Sequence, residues 1–193
     1  MQGGVEEVSS SRQARLGRLL AAVAELLAGQ ANPDERLLRQ IAALLKAAAP
    51  ELQIGPAQFP IAQPGQELLY ELALDPTGGP SLYLVSDGAG THSPPHTHQT
   101  WAVVLGLRGV ELNQLYRLAG DSGGRLQAAA TEQAVGPGEC LVMQAEDIHA
   151  TRVQGESCYH LHLYGRALSH LPPFAARCFD WPSSLPNVAQ MHR

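Results

Sequence analysis

From about residue 66 the sequence breaks into short apolar runs separated by glycine- and proline-rich stretches, and that rhythm leaves few folds open. The runs are LLYELALD, SLYLVSD, WAVVLGLRG, VELNQLYRL and CYHLHLYG. The punctuation is TGGP (77–80), DGAG (87–90), GDSGG (120–124) and GPGE (136–139), residues that favour tight reversals. Many short strands at this spacing predict an antiparallel sandwich or small barrel.

The first fifty residues have a different texture. Leu16, Leu19, Leu20, Val23, Leu26 and Leu27 keep helical spacing, with Ser9 to Ser11 as caps and Gly29 as a stop. A second helix has Asn32, Pro33 and Glu35 at its start, Leu37, Leu38, Ile41, Leu44 and Leu45 as its apolar positions, and Pro50 at its end. The expected organisation is therefore helices over residues 1–52, packed on a β-barrel of residues 53–193, in one structural domain. Residues 171–193, with four prolines, read as a strap or tail.

Composition narrows the partners. Apolar residues make up 45% and charged residues 16% of the chain, the balance of a folded protein. The net charge is −5, Lys46 is the only lysine, and no basic cluster occurs, which argues against nucleic acid or an anionic membrane as partner. No apolar run reaches the roughly 18 residues of a membrane span. The opening MQGGVEEVSSSR, with Glu6 and Glu7, lacks the basic-then-apolar order of a signal peptide, so a cytoplasmic location is expected. Three cysteines (Cys140, Cys158 and Cys178) without a CxxC pair argue against a disulfide framework and a thiolate zinc site.

Six of the eight histidines lie between residues 92 and 162. His96 and His98, in PPHTHQTW, are two apart, so on a strand both imidazoles leave from one face and can share an ion. His149 follows GPGECLVMQAEDIH, in which Gly136, Pro137 and Gly138 turn the chain into a strand ending near that histidine. A third histidine from a neighbouring strand completes a facial set, with about three octahedral positions open for O2 and a bidentate substrate. Imidazole suits Fe, Zn, Cu and Ni alike, so ligand type does not choose the metal.

Gly90 stands six residues before His96, Gly109 eleven after His98, and Pro137–Gly138 twelve to eleven before His149. In order and spacing this resembles the two cupin motifs. The resemblance implies a mainly β chain: a cupin double-stranded β-helix, or small jelly-roll barrel, preceded by the helical pair. Many cupins add a glutamate ligand four or five residues after the second histidine; here Ala102 and Val103 stand there. A three-histidine site, His96, His98 and His149, is implied, and with no carboxylate among the ligands a bound thiolate or other anion can offset the charge of Fe(II).

The sequence also resembles the thiol dioxygenases, the family of cysteine dioxygenase and 3-mercaptopropionate dioxygenase. HTHQTWAVVLGLRG (96–109), EDIHATRV (146–153) and HLHLYG (160–165) carry the likeness, with weaker support from LLYELALDPTGGPSLYLVSD (68–87). In that family three histidines bind Fe(II) and a Ser-x-His-x-Tyr strand lines the pocket, which makes His162 and Tyr164 the matching catalytic residues. The phenol would donate to dioxygen or substrate while the imidazole holds it in place. The family's serine is His160 here, for which a fourth ligand, a hydrogen-bond partner of His162 and a substrate contact are all open. The partner role is expected, with a charge gained near pH 6.5. Ala102 replaces the cysteine that forms a thioether in animal members, so none can form. Arg177, in RCFD, and Arg166 are candidates to bind a substrate carboxylate, Trp101 is a further substrate-binding candidate, and Arg108 is structural, in the LRG turn. The activity implied is oxidation of a small thiol, cysteine or 3-mercaptopropionate-like, to its sulfinate with O2, by a monomer or homodimer. The alternatives are another cupin iron dioxygenase, such as a diketone-cleaving one, and a non-enzymatic metal-binding sensor or storage protein.

Overall fold

The computed structural model describes residues 2–119 and 126–180. Two helices open the chain, α1 over Gln2–Leu27 and α2 over Glu35–Ala48. Ser9 to Ser11 lie inside α1 and do not cap it. Serine is only mildly unfavourable in a helix interior, so the helix runs through where nothing competes for the backbone. The stop is as expected, Ala28 and Gly29 taking φ of 47° and 80° directly after Leu27. Asp34 caps α2 by accepting from the Leu37 amide at 2.8 Å, a cap that contributes about 1 kcal/mol. The buried face of α2 is Leu38, Ile41, Ala42 and Leu45, and Pro50 lies in a short 3-10 turn that follows.

Seven strands follow: β1 Glu67–Leu74, β2 Ser81–Gly88, β3 Ala102–Leu118, β4 Leu126–Ala128, β5 Gln133–Val135, β6 Cys140–Met143 and β7 Ile148–Tyr164. They form one antiparallel sheet in the order β1-β2-β7-β3-β4, with β5 and β6 also paired to β3. A mainly β chain with an N-terminal helical pair is therefore what the sequence folds into. The GDSGG turn and residues 181–193 of the expected strap lie outside the described residues.

Two expected boundaries are absent. WAVVLGLRG and VELNQLYRL belong to one strand, β3, and β7 joins EDIHATRV to CYHLHLY; each strand is 17 residues long. Their mutual pairing shifts register between Gly106 and Arg108 and again between Arg108 and Val110. Bulges there bend both strands without ending them, so Arg108 sits in a bulged strand and not in a turn. Gly109 makes the bend possible: its φ is 69°, and a Cβ there would lie 2.1 Å from the Ser157 carbonyl oxygen. His149 correspondingly begins β7 and does not end the strand before it.

β7 has neighbours on both edges over both of its halves. Residues 157–164 lie between β2 and β3, while 148–154 pair with β3 on one edge and meet His92 and His96 through isolated bridges. The sheet thus wraps around an interior. On the outer face, Leu82, Leu84, Val103, Leu105, Leu161 and Leu163 pack with Leu16, Val23, Ile41 and Leu45 of the helices. Each such fully buried side chain stabilises the fold by about 1.5–3 kcal/mol. The intervening positions, Tyr83, Ala102, Val104 and Tyr164, turn to the inner face with Leu141 and Met143. No helix among the described residues is long and apolar enough to cross a membrane.

Candidate metal centre

His96, His98 and His149 are buried, and one nitrogen from each lies within 4.8 Å of the others. The ring centroids are 5.2 Å apart for His96 and His98, 4.5 Å for His96 and His149, and 4.9 Å for His98 and His149. The stretch carrying His96 and His98 is not a regular strand. It is pinned to β7 by a reciprocal pair of backbone bonds, His96 N to His149 O at 2.8 Å and His149 N to His96 O at 3.0 Å. On its other side Thr97 N donates to Arg177 O, and Phe179 N to Pro95 O, so residues 177–179 strap the segment in place.

Hydrogen bonds set the tautomers. Asn113 donates through Nδ2 to Glu111 Oε1 at 3.0 Å, which turns its carbonyl oxygen to His149 Nδ1 at 2.8 Å. His149 therefore holds its proton on Nδ1 and presents a bare Nε2, 3.3 Å from His98 Nε2. His96 Nδ1 likewise donates to the Pro94 carbonyl at 2.9 Å. Burial, with Arg177 nearby, pushes His96 down to about 4, and burial with the neighbouring histidines holds His98 and His149 well below their ordinary range. All three are neutral at pH 7, the form that binds a metal. His98 Nδ1 is buried without a partner among the described residues. With no acceptor there, His98 Nε2 can hold the proton without an ion and donate to His149 Nε2 at 3.3 Å; an ion there would displace that proton.

Tyr164 and His162 stand on the inner face of β7 beside this set. The Tyr164 ring lies 5.1 Å from that of His98, and its hydroxyl is 2.9 Å from His162 Nδ1. Burial raises the Tyr164 phenol well above its ordinary range, so it keeps its proton. Ala102 is the direct partner of Tyr164 on β3, so the residue facing the phenol there is a methyl group.

His160 is further along the same face. Its ring centroid is 5.8 Å from that of His162, and neither of its nitrogens has a hydrogen-bond partner among the described residues. Its Nδ1 turns towards Glu111 Oε2 at 3.7 Å and Asp87 Oδ2 at 3.9 Å. Burial pushes His160 down to about 4, so the charge expected near pH 6.5 is not gained there.

The substrate-binding candidates separate. Arg177 is buried beside the histidines, with Nε on the Pro172 carbonyl and Nη1 on the Thr97 carbonyl. Its guanidinium also lies 5.5 Å from the ring centre of Phe174, which stacks edge-on against His96. Arg166 is exposed. Trp101, directly before β3, belongs to the helix-side core with 103 and 105, while 102 and 104 turn inward. Sequence reasoning missed Asn113 and Glu111. The available signal was Glu-x-Asn inside VELNQL, two polar residues that alternation places on one face of the strand.

No protein-family profile matches the chain, and no curated protein matches it. It is similar to several solved cupins. A cupin superfamily protein from Desulfitobacterium hafniense shares 18% identity over 72% of this chain and 97% of its own, with a TM-score of 0.43. A cupin 2 conserved barrel domain protein from Leptotrichia buccalis shares 21% over 57% and 46%, with a TM-score of 0.44. An oxalate oxidase in complex with the substrate analogue glycolate shares 22% over 54% and 53%, with a TM-score of 0.42. The chain spans about half the length of the last two. Likenesses this remote assign no metal, substrate or reaction.

Proposed function

We propose that this chain is a cupin-type dioxygenase that holds Fe(II) on His96, His98 and His149 and oxidises a small thiol to its sulfinate. The observation that carries this is the ligand set: three buried neutral imidazoles whose nitrogens converge, His96 and His149 each holding the proton on Nδ1, with no carboxylate among them. Such a set leaves the charge of a divalent ion uncompensated, which favours an anionic substrate such as a thiolate. When bound, the ion would supply a common centre for thiol sulfur and O2, removing the orientational barrier to their reaction. The overall change, RSH + O2 to RSO2H, balances without a further reductant, since sulfur gives up the four electrons that dioxygen takes.

The protein's part is positioning and proton control. With its proton on Nδ1, His162 donates to the Tyr164 oxygen and frees the phenol hydrogen to point at a substrate or dioxygen. Arg177 retains Nη2, which has no partner among the described residues, for a carboxylate beside the histidines. Phe174 and the strap from Arg177 to Phe179 limit water around His96. The partners so implied are a small thiol and O2, acting in the cytoplasm on a monomer or homodimer.

The test is anaerobic loading with Fe(II), then O2 uptake and sulfinate formation with cysteine, 3-mercaptopropionate, cysteamine and a diketone. Sulfinate formed in step with O2 consumption is the expected result. Stoichiometric iron with no sulfinate from any thiol would refute the proposal, and diketone cleavage would replace it.

A further inference from the structure

A second buried cluster lies on the inner face of β7, apart from the three-histidine set. Cys158 and His160 are two apart on that strand, and Asp87 on β2 is the direct partner of Cys158. One ligand-type atom from each of Asp87, Cys158 and His160 lies within 4.8 Å of the others, and all three residues are buried. Both nitrogens of His160 and Oδ1 of Asp87 have no partner among the described residues, although His160 is 0% exposed. Protein interiors rarely leave such groups unpaired.

The spacings fit an ion better than a hydrogen bond. His160 Nδ1 stands 3.9 Å from Asp87 Oδ2 and 3.7 Å from Glu111 Oε2, too far for hydrogen bonds. Zinc bonds of about 2.0–2.2 Å to nitrogen and oxygen at tetrahedral angles separate such atoms by about 3.3–3.6 Å, so side-chain shifts of a few tenths of an ångström would close them on an ion. We propose that Asp87, Cys158 and His160 form a second metal site, for a zinc-like divalent ion, with Glu111 as a carboxylate beside it.

Charge supports the assignment. The Asp87 carboxylate and Cys158 thiolate neutralise a divalent ion and the imidazole adds nothing, so the buried site carries no net charge while Glu111, pushed up to about 7 by burial, holds its proton. Without an ion the same groups are held uncharged: burial and the carboxylates Glu67 and Glu111 push Asp87 up to about 8, and burial raises the Cys158 thiol. An ion would displace those protons. Mixed sulfur, nitrogen and oxygen donors suit zinc or cobalt, whereas three imidazoles leave open positions for chemistry. With Glu111 as a fourth donor the second site would be closed, as structural sites are.

The test uses cobalt as probe, because only this cluster offers sulfur. Protein produced in cobalt-supplemented medium and then saturated with Co(II) should show a thiolate-to-cobalt charge-transfer band in the near ultraviolet. Cys158→Ser, nearly isosteric, should abolish the band and lower the content by one ion per chain. His96→Ala should keep the band and lose the other ion, while Cys140→Ser and Cys178→Ser should keep both. A wild-type protein without the band, or a band that survives Cys158→Ser, would overturn the proposal. Loss of activity with the band intact would bear on the three-histidine site alone. Should Cys158→Ser fail to fold, the wild-type spectrum and Asp87→Asn, expected to weaken the band-bearing ion at least tenfold, decide the matter.

Discussion

Asn113→Leu removes the hydrogen bond that fixes His149 together with the one that Asn113 donates to Glu111, and leucine, similar in volume, leaves little room for a rescuing water. In the metal-free protein the loss at His149 is easily absorbed. The His149 proton can move from Nδ1 to Nε2 and be donated to His98 Nε2, 3.3 Å away. Metal binding forbids that escape, because Nε2 must be bare and the proton must return to an Nδ1 that has lost its acceptor at 2.8 Å. An unsatisfied buried donor costs about 1–3 kcal/mol. At 1.4 kcal/mol per tenfold this is a loss of about 5- to 150-fold in affinity, in line with the roughly 10–100-fold cost of losing such a supporting group. Competition for Fe(II) or Co(II) against a chromophoric chelator measures it, beside thermal unfolding of the metal-free protein. Metal-free stability should fall by the lost Glu111 bond, about 1–3 kcal/mol, and the metal affinity of the folded protein should fall in addition. An affinity within about twofold of wild type, on a folded protein, would refute the tautomer argument.

His96→Ala, His98→Ala and His149→Ala should each remove most of the triad's metal while leaving the fold largely intact; a second ion at the Cys158 cluster is counted separately by its cobalt spectrum. Tyr164→Phe should keep that metal and lower turnover by roughly 10²–10⁴, the range for a positioned proton donor; unchanged turnover on the best thiol would make Tyr164 a packing residue. Metal-free protein should be most stable near pH 6.5. Five buried histidines, His96, His98, His149, His160 and His162, are held below their ordinary range and withhold protons that the unfolded chain takes up below about 6.5, which outweighs the opposing carboxylates, so stability drops on the acid side. Asp87 and Glu111, raised to about 8 and about 7, keep protons that the unfolded chain releases from about pH 4 upwards, and above 6.5, where the histidines no longer oppose them, stability drops until about pH 8. Melting temperatures in chelator across pH 4–9 check this, and a monotonic rise through pH 8 would contradict it.

The elements of the fold were legible because they rest on local chemistry. Leu38, Ile41 and Leu45 keep helical spacing and form the buried face of α2. The alternation in CYHLHLYG sends Leu161 and Leu163 outward and His160, His162 and Tyr164 inward. Strand ends were less legible. A glycine in an apolar run reads as a stop, yet at Gly109 it is a bend, and only the distance to Ser157 distinguishes the two. Ser9 to Ser11 mislead in the same way, because a capping residue acts as a cap only where the chain before it leaves the helix.

For the site, legibility follows register. His96 and His98 are neighbours in sequence, and His149 could be added because a turn of characteristic spacing precedes it. Asn113 reaches His149 because β3 and β7 pair with Leu115 opposite His149 and Asn113 opposite Thr151, an alignment set by the bulges at Arg108. The pairing of Asp87 with Cys158 likewise depends on how β2 lies on β7. Three cysteines without a CxxC pair argued against thiolate zinc, but that inference covers ligands close in sequence and not one thiol opposite a carboxylate on another strand. Register also joins the two clusters. Glu111 accepts from Asn113 through Oε1 and faces His160 through Oε2, so a single carboxylate lies between the group that orients His149 and the second cluster. A change of charge at Asp87, Cys158 or His160 therefore acts on Glu111 first and on His149 through Asn113. On that basis Asp87→Asn should alter metal affinity at the three histidines by less than Asn113→Leu does, and Glu111→Gln by more than Asp87→Asn. The reverse order, in the same chelator competition, would mean that the two clusters are not linked through Glu111.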